Sequence, residues 1–301
     1  MKLSIILSLY NCEKYIEKYF EDALSQKGVE NIEFSIIHNN PTQKEKDIIE
    51  SYKNRLNIVY TAVALEPLYK SWNRAIEQSN GKYLACWNVD DLRTPDSVEK
   101  MAKVLDENDD IGFTYGDIII VDEFGKKSGK YIRAPEWSFE LGTTGAIGGP
   151  FFMWKKELIN KVGYFDEQFK SGADFDYTVR LSLCSKGKKT NALVGYFTNE
   201  RKGLSTSNLN GVEIQPLERT VIEMRYGIWS KVDVKYIPEA LDYRITHILQ
   251  PDGWRHISDF VTNYKELVRR RTYKFYYVPF SIVKYKVIAI LRQLKRRWIA
   301  R

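Results

Sequence analysis

The chain has 301 residues, 44% of them hydrophobic, a length and composition that suit one large α/β domain or such a domain with an extension. The net charge of +7 is uneven: residues 265–301 hold twelve Lys or Arg against the single acid Glu266, a net of +11 that leaves −4 on the other 264 residues, so the basicity belongs to a task separate from the body of the chain. Three cysteines, Cys12, Cys86 and Cys184, are too few and too scattered for a disulfide framework or a metal-binding spacing, and a reducing compartment is expected.

Lys2–Leu9 reads as a buried strand, and Tyr15, Ile16, Tyr19, Phe20, Ala23 and Leu24 then recur at helical spacing up to Gly28. The apolar start is short and runs straight into Asn11, Cys12, Glu13 and Lys14 without small residues for cleavage, so no signal peptide is expected. Ile32–Ile37 is a second strand. It ends in His38-Asn39-Asn40-Pro41, a turn that leads into a helix over Gln43–Tyr52, with His38 read as a turn residue. Leu56–Val63 is a third strand, and Leu68, Trp72, Ala75, Ile76 and Ser79 line a helix that Gly81 stops. Tyr83–Val89 is the fourth strand, followed by a helix with Thr94 as cap and Pro95 in its first position. This alternation predicts a mainly parallel, Rossmann-like sheet with helices on both sides.

After Asp110 the rhythm changes. Ile111–Val121 is strand-like, Asp122–Gly129 turns, and a loop runs through Pro135 and Gly142–Gly149. A helix over Lys155–Val162 stops at Gly163, another follows Gly172 and closes at Gly187, and Thr190–Thr198 is a further strand. From about Asn208 the pattern is helical or irregular. No window offers about 18 consecutive apolar residues, so no membrane-spanning helix is expected. In the tail, Phe280, Val283, Val287, Ile290, Leu291, Leu294 and Trp298 recur every three or four residues while Lys284, Lys295, Arg296 and Arg297 fall mostly on the other side. That is a basic amphipathic helix, suited either to an anionic membrane surface or to packing on the body of the protein.

Asp90 and Asp91 stand where the fourth apolar run stops. Ligands of open parallel sheets gather beyond the carboxyl ends of the strands, and hard cations share oxygen ligands between one or two carboxylates and a substrate's phosphates. Taken alone, such a pair before a Thr-Pro helix start is more often a solvated loop.

Four segments occur in a telling order: SIILSLYNCEKYI from Ser4, KSWNRAIEQSNGKYLACWNVDD from Lys70, GGPFFMWKKELINKVGYFDEQF from Gly148, and GADFDYTVRL from Gly172. Over residues 1–207 the sequence resembles the family 2 glycosyltransferases, which have the GT-A fold. The resemblance implies transfer of a sugar, with inversion, from a nucleotide-diphosphate donor to an acceptor hydroxyl with Mn²⁺ or Mg²⁺. It divides the chain into a donor-binding half (1–105), an acceptor-binding and catalytic half (106–207) and a helical basic extension (208–301). By the same resemblance Leu9, Tyr10 and Asn11 contact the nucleotide, and Asn39 replaces an acidic base-recognising residue, its amide oxygen left to do that work. Asn88-Val89-Asp90 stands for the Asp-x-Asp motif, with Asn88 toward the ribose, Asp90 as metal ligand and Asp91 as a lesser metal candidate. Asp174 is the implied catalytic base, although Ala173 replaces the Glu that usually precedes it. A carboxylate at a helix start is expected to be ionised. Gly148, Gly149 and Pro150 fall on the acceptor-side loop, and Arg201 and Ser205 where a loop closes over the diphosphate.

The implied setting is assembly of a cell-surface polysaccharide or lipid-linked oligosaccharide, with a carbohydrate or lipid-linked acceptor, on the cytoplasmic face of the membrane. The absence of a Gly-rich phosphate loop speaks against a nucleotidyltransferase. Asn88, Ala173 and the His38-Asn39 turn keep a non-catalytic nucleotide-sugar binder in view, and no nucleic acid partner is expected.

Overall fold

The computed structural model describes residues 2–145, 147, 149–200, 208–209 and 212–273. Leu3–Leu9 (β1), Ile32–Asn39 (β2) and Asn57–Val63 (β3) are joined by helices Ile16–Leu24 (α1) and Gln43–Tyr52 (α2), and α3 (Leu68–Gln78) returns the chain to β4 (Tyr83–Cys86). A two-residue strand, β5 (Leu92–Arg93), and helix α4 (Ser97–Asp106) follow, then β6 (Ile111–Val121), β7 (Lys130–Ile132) and the short helix α5 (Phe139–Thr143). β8 (Met153–Lys155), α6 (Ile159–Val162), α7 (Ala173–Cys184) and β9 (Lys186–Thr198) complete the sheet, whose order is β3-β2-β1-β4-β8-β6-β9-β5 with β7 on β6. β1 to β4 pair in parallel. β8 runs antiparallel to both β4 and β6, which makes β6 point the same way as β4.

The two faces of the sheet carry two cores, because successive side chains of a strand point to opposite sides. Leu3, Ile5, Leu7 and Leu9 of β1 pack with Tyr19 and Phe20 of α1, Ile49 of α2 and Met101 of α4. Ile6, with Leu84 and Cys86 of β4, faces Trp72 of α3 and Tyr177 of α7 on the other side. That second core also takes Leu217, Val221 and Ile222 of α8 (Ile214–Arg225), Ile237 of α9 (Ile237–Ala240) and Ile248 of a hairpin, β12 (His247–Gln250) and β13 (Gly253–His256). A further two-stranded ribbon, β10 (Asn208–Leu209) with β11 (Val212–Glu213), precedes α8, and α10 (Tyr264–Tyr273) ends the described chain.

Several expectations shift. The C-terminal extension is not purely helical, and it shares the core of α7. The fourth strand ends at Cys86 instead of Val89, because Asp91 N–H bonds Asn88 C=O and closes a turn over Asn88–Asp91. Thr94 does not cap α4: its hydroxyl bonds Leu193 C=O, and the helix begins at Ser97. Lys155 belongs to β8 and only Ile159–Val162 is α-helical before Gly163, whose φ of 72° gives the expected stop. Gly187 lies inside β9, where a Cβ would come within 2.5 Å of the Phe113 ring. Part of the basic tail is a docked element, since Arg271 of α10 donates to Thr143 Oγ1 at 2.6 Å and to Tyr226 C=O at 3.2 Å. Residues 279–301, where the amphipathic helix is expected, lie outside the described residues. Among the described residues no helix is long and apolar enough to cross a membrane.

Candidate active site

The carboxyl ends of β2, β1 and β4 lie side by side, and the implied donor residues follow from them. β1 ends at the buried Leu9; Tyr10 is then 56% exposed and Asn11 takes a φ of 47°. Asn40, after β2, has a φ of 41°. Asn tolerates this left-handed region better than other residues with a Cβ, so both strands turn off sharply at the same edge.

Behind them lies a sealed polar cluster. Glu45, in the first turn of α2, accepts the N–H groups of Thr42 (2.9 Å) and Cys12 (2.6 Å) and sits 3.2 Å from His38 Nε2, while Tyr60 OH lies 3.2 Å from His38 Nδ1. Burial lowers the His38 pKa and so favours the neutral imidazole, and the same N–H donors help to hold the Glu45 carboxyl below its ordinary value although burial works against it. Cys12, His38 and Glu45 bring ligand atoms within 4.8 Å of one another. Glu45 is already engaged by two backbone amides in a capping box, so the cluster joins β1, β2 and α2.

Asn39 serves the same edge. It is 2% exposed, its Oδ1 accepts Glu66 N–H at 2.9 Å, and its Nδ2 donates to Ser71 Oγ at 3.0 Å. Its amide oxygen is thus engaged by the β3–α3 loop through one of its two lone pairs.

The turn after β4 separates the two acidic residues. Asp91 is 1% exposed and its Oδ1 accepts Thr198 N–H at 2.8 Å, so it ties the turn to the end of β9 and is no ready metal ligand. Burial, and then the Asp90 charge, push its carboxyl well up. Asp90 is partly buried and accepts no hydrogen bond from another described residue; burial and the nearby Glu200 charge raise its pKa. Asn88 lies 3.5 Å from Asp91 Oδ2. A partly desolvated carboxylate beside a second acid, with open coordination, is a donor set that fits a hard divalent cation.

Asp174 comes from the other half of the chain. It stands in the first turn of α7, Tyr69 OH of α3 donates to its Oδ1 at 3.5 Å, and burial, then the Asp174 charge, raise the Cys86 thiol at the end of β4. Burial pushes the Asp174 carboxyl up to about 6, against the Phe175 N–H and Tyr69 OH bonds that favour the anion. The helix start alone leads one to expect a low value, and desolvation wins over it. Tyr69 was missed in the sequence because its position reads as one more apolar site of α3. Gly149, exposed with a φ of 61°, and Pro150 lie on the loop before β8. Gly148, Arg201 and Ser205 are outside the described residues. A separate cleft of about 520 Å³, lined by Asp109, Asp110, Trp137 and Lys186, sits at the start of β6, which is the end of the sheet away from this site.

Known proteins resemble this chain in sequence and in fold. The sequence model described as glycosyl transferase family 2 matches residues 4–163. An uncharacterized glycosyltransferase of Methanocaldococcus jannaschii is 26% identical over 189 residues, 59% of this chain and 63% of that protein. The chondroitin synthase of Pasteurella multocida is 26% identical over 192 residues, 64% of this chain and only 20% of the synthase. Among solved structures, S. aureus TarS residues 1–349 in complex with UDP-GlcNAc aligns with a TM-score of 0.61 at 21% identity, covering 80% of this chain and 72% of that one. The match in three dimensions is one of fold, and it bears out the expected GT-A architecture. With more than half of its length under the family's sequence model, the chain belongs to glycosyl transferase family 2.

Proposed function

We propose that this protein is an inverting glycosyltransferase that moves a sugar from a nucleoside diphosphate donor to an acceptor hydroxyl. The observation that carries the reading is a partly buried carboxylate, Asp90, free of hydrogen bonds from other described residues in the turn after β4, together with a second one, Asp174, in the first turn of α7, bonded by Tyr69 OH of α3. The donor's nucleotide lies over Leu9, Tyr10 and Asn11, and Asp90 is the residue that would hold a Mn²⁺ or Mg²⁺, which when bound would supply positive charge against the departing diphosphate. Asp174 takes the proton of the acceptor hydroxyl as its oxygen bonds the anomeric carbon and the bond from that carbon to the diphosphate breaks. One displacement inverts the centre, and no second carboxylate is needed as a nucleophile. Because TarS was solved with UDP-GlcNAc, that donor is the first to test. UDP release from UDP-GlcNAc and other nucleotide sugars, with and without Mn²⁺, tests the reading. Donor binding without any release would favour the non-catalytic binder.

The pH dependence follows from Asp174. Its active form is the carboxylate and its pKa is raised to about 6, so turnover is expected to rise through pH 6 to a plateau and to fall about tenfold for each unit below it. A rate independent of pH between 5 and 8 would remove Asp174 as the base.

The basic tail supports a lipid-linked acceptor and a place on the cytoplasmic leaflet. Anionic headgroups add about 1 kcal/mol for each Lys or Arg near the surface. Deleting residues 279–301 is expected to leave donor hydrolysis intact and to abolish sedimentation with anionic liposomes, which for the 301-residue chain weakens as salt rises. A chain that stays in the supernatant at low salt, or a truncated form that unfolds, would return the tail to packing on the body.

A further inference from the structure

The first turn of α7 is gripped by α8, a helix beyond the region that the family's sequence model covers. Glu218 of α8 is fully buried, and its carboxylate accepts three successive backbone N–H groups, from Lys170, Ser171 and Gly172, each at 2.8 Å. Tyr243 OH adds a fourth bond at 3.2 Å. Gly172 caps α7, and a Cβ there would stand 3.1 Å from Glu218 Cβ. A second grip lies two residues past the base: Asp176 accepts from Arg225 Nη1 and Tyr226 OH of the α8 end, both at 2.7 Å, and from Arg180 Nε at 2.9 Å. Asp174 is the residue between these two anchors.

We propose that Glu218 is a positioning residue for acceptor activation, gathering the Lys170–Gly172 amides so that the first turn of α7, and with it the Asp174 carboxylate, is fixed at the reacting centre. This rests on the reading of Asp174 as the base. A carboxylate bound by three amides is held more tightly than a neutral acceptor, and a buried one cannot be replaced by water. Its role is also electrical. Tyr69 OH from α3, the Phe175 N–H and the Asp174 N–H of its own helix favour the Asp174 anion, while burial and then the Glu218 charge from α8 oppose it.

Glu218→Gln keeps the volume but turns an NH₂ group toward backbone N–H donors. With UDP-GlcNAc and Mn²⁺ as probe, it is expected to lower kcat for donor hydrolysis by about 10²-fold, the scale of a misplaced catalytic group, with donor KM unchanged. The acid limb of the pH profile moves to lower pH, because a negative neighbour of Asp174 is gone. Amide hydrogen exchange at Lys170, Ser171 and Gly172 speeds up while the melting temperature shows a folded protein. Gly172→Ala presses on the same contact without removing charge and is expected to lower kcat with the acid limb unmoved; it carries the test if Glu218→Gln does not fold. Wild-type kcat and exchange in the variants, or a kcat loss matched by loss of donor binding, overturns the proposal. If Asp174→Asn itself hydrolyses donor like wild type, the base reading has failed, and amide exchange still reports separately whether Glu218 holds the turn.

Discussion

In the Asp174→Asn variant, glycosyl transfer is expected to fall by about 10² to 10⁴-fold, the range of general-base catalysis, while donor binding is retained. The amide has the shape of the carboxyl group, and its oxygen can still accept from Phe175 N–H and Tyr69 OH, so α7 keeps its first turn. What it cannot do is take a proton. Because burial disfavours the charged form of Asp174, a neutral replacement is expected to leave the melting temperature unchanged or raised. Loss of turnover with a preserved melt and preserved UDP binding by calorimetry is therefore the signature. A parallel fall in donor affinity would make Asp174 a donor-site or structural residue.

The Asp90→Ala variant is expected to lose metal-dependent transfer and keep its fold. The carboxylate is partly buried and bonds no other described residue, so its removal leaves no orphaned donor among them. A full charge about 4 Å away is worth roughly 4 kcal/mol at an effective dielectric near 20. Applied to the transition state, that is about a thousandfold in rate. Asp91→Ala makes the contrast, since it strips Thr198 N–H of its acceptor and is expected to lower stability as well as activity. UDP release against Mn²⁺ concentration, beside circular dichroism of each variant, separates the two. Turnover of Asp90→Ala equal to wild type, at equal folding, would end the metal assignment.

Local pattern carried far in this chain. Alternating apolar runs and helical spacings placed β1 to β4 and α1 to α4 to within a few residues, because period in hydrophobicity follows directly from backbone geometry. The turn glycine Gly163 was legible for the same reason, whereas Gly187 was misread as a helix stop. A glycine's use inside a strand depends on what lies across it, here the Phe113 ring. Asp90 and Asp91 are adjacent and chemically identical, and only the reach of β9 made Asp91 a tie and left Asp90 open.

The sequence by itself determined the alternation of elements, the acidic turn after β4, the uneven charge and the family, since each is written in neighbouring residues or in ordered motifs. Tertiary structure decided which polar groups are available. It bonded Asn39 to Glu66, raised the Asp174 pKa by burial where the helix start favours the anion, and brought Glu218 to the turn before Asp174. Desolvation and hydrogen-bond partnership depend on what the folded chain carries to a point from far along its length, and no local pattern encodes that.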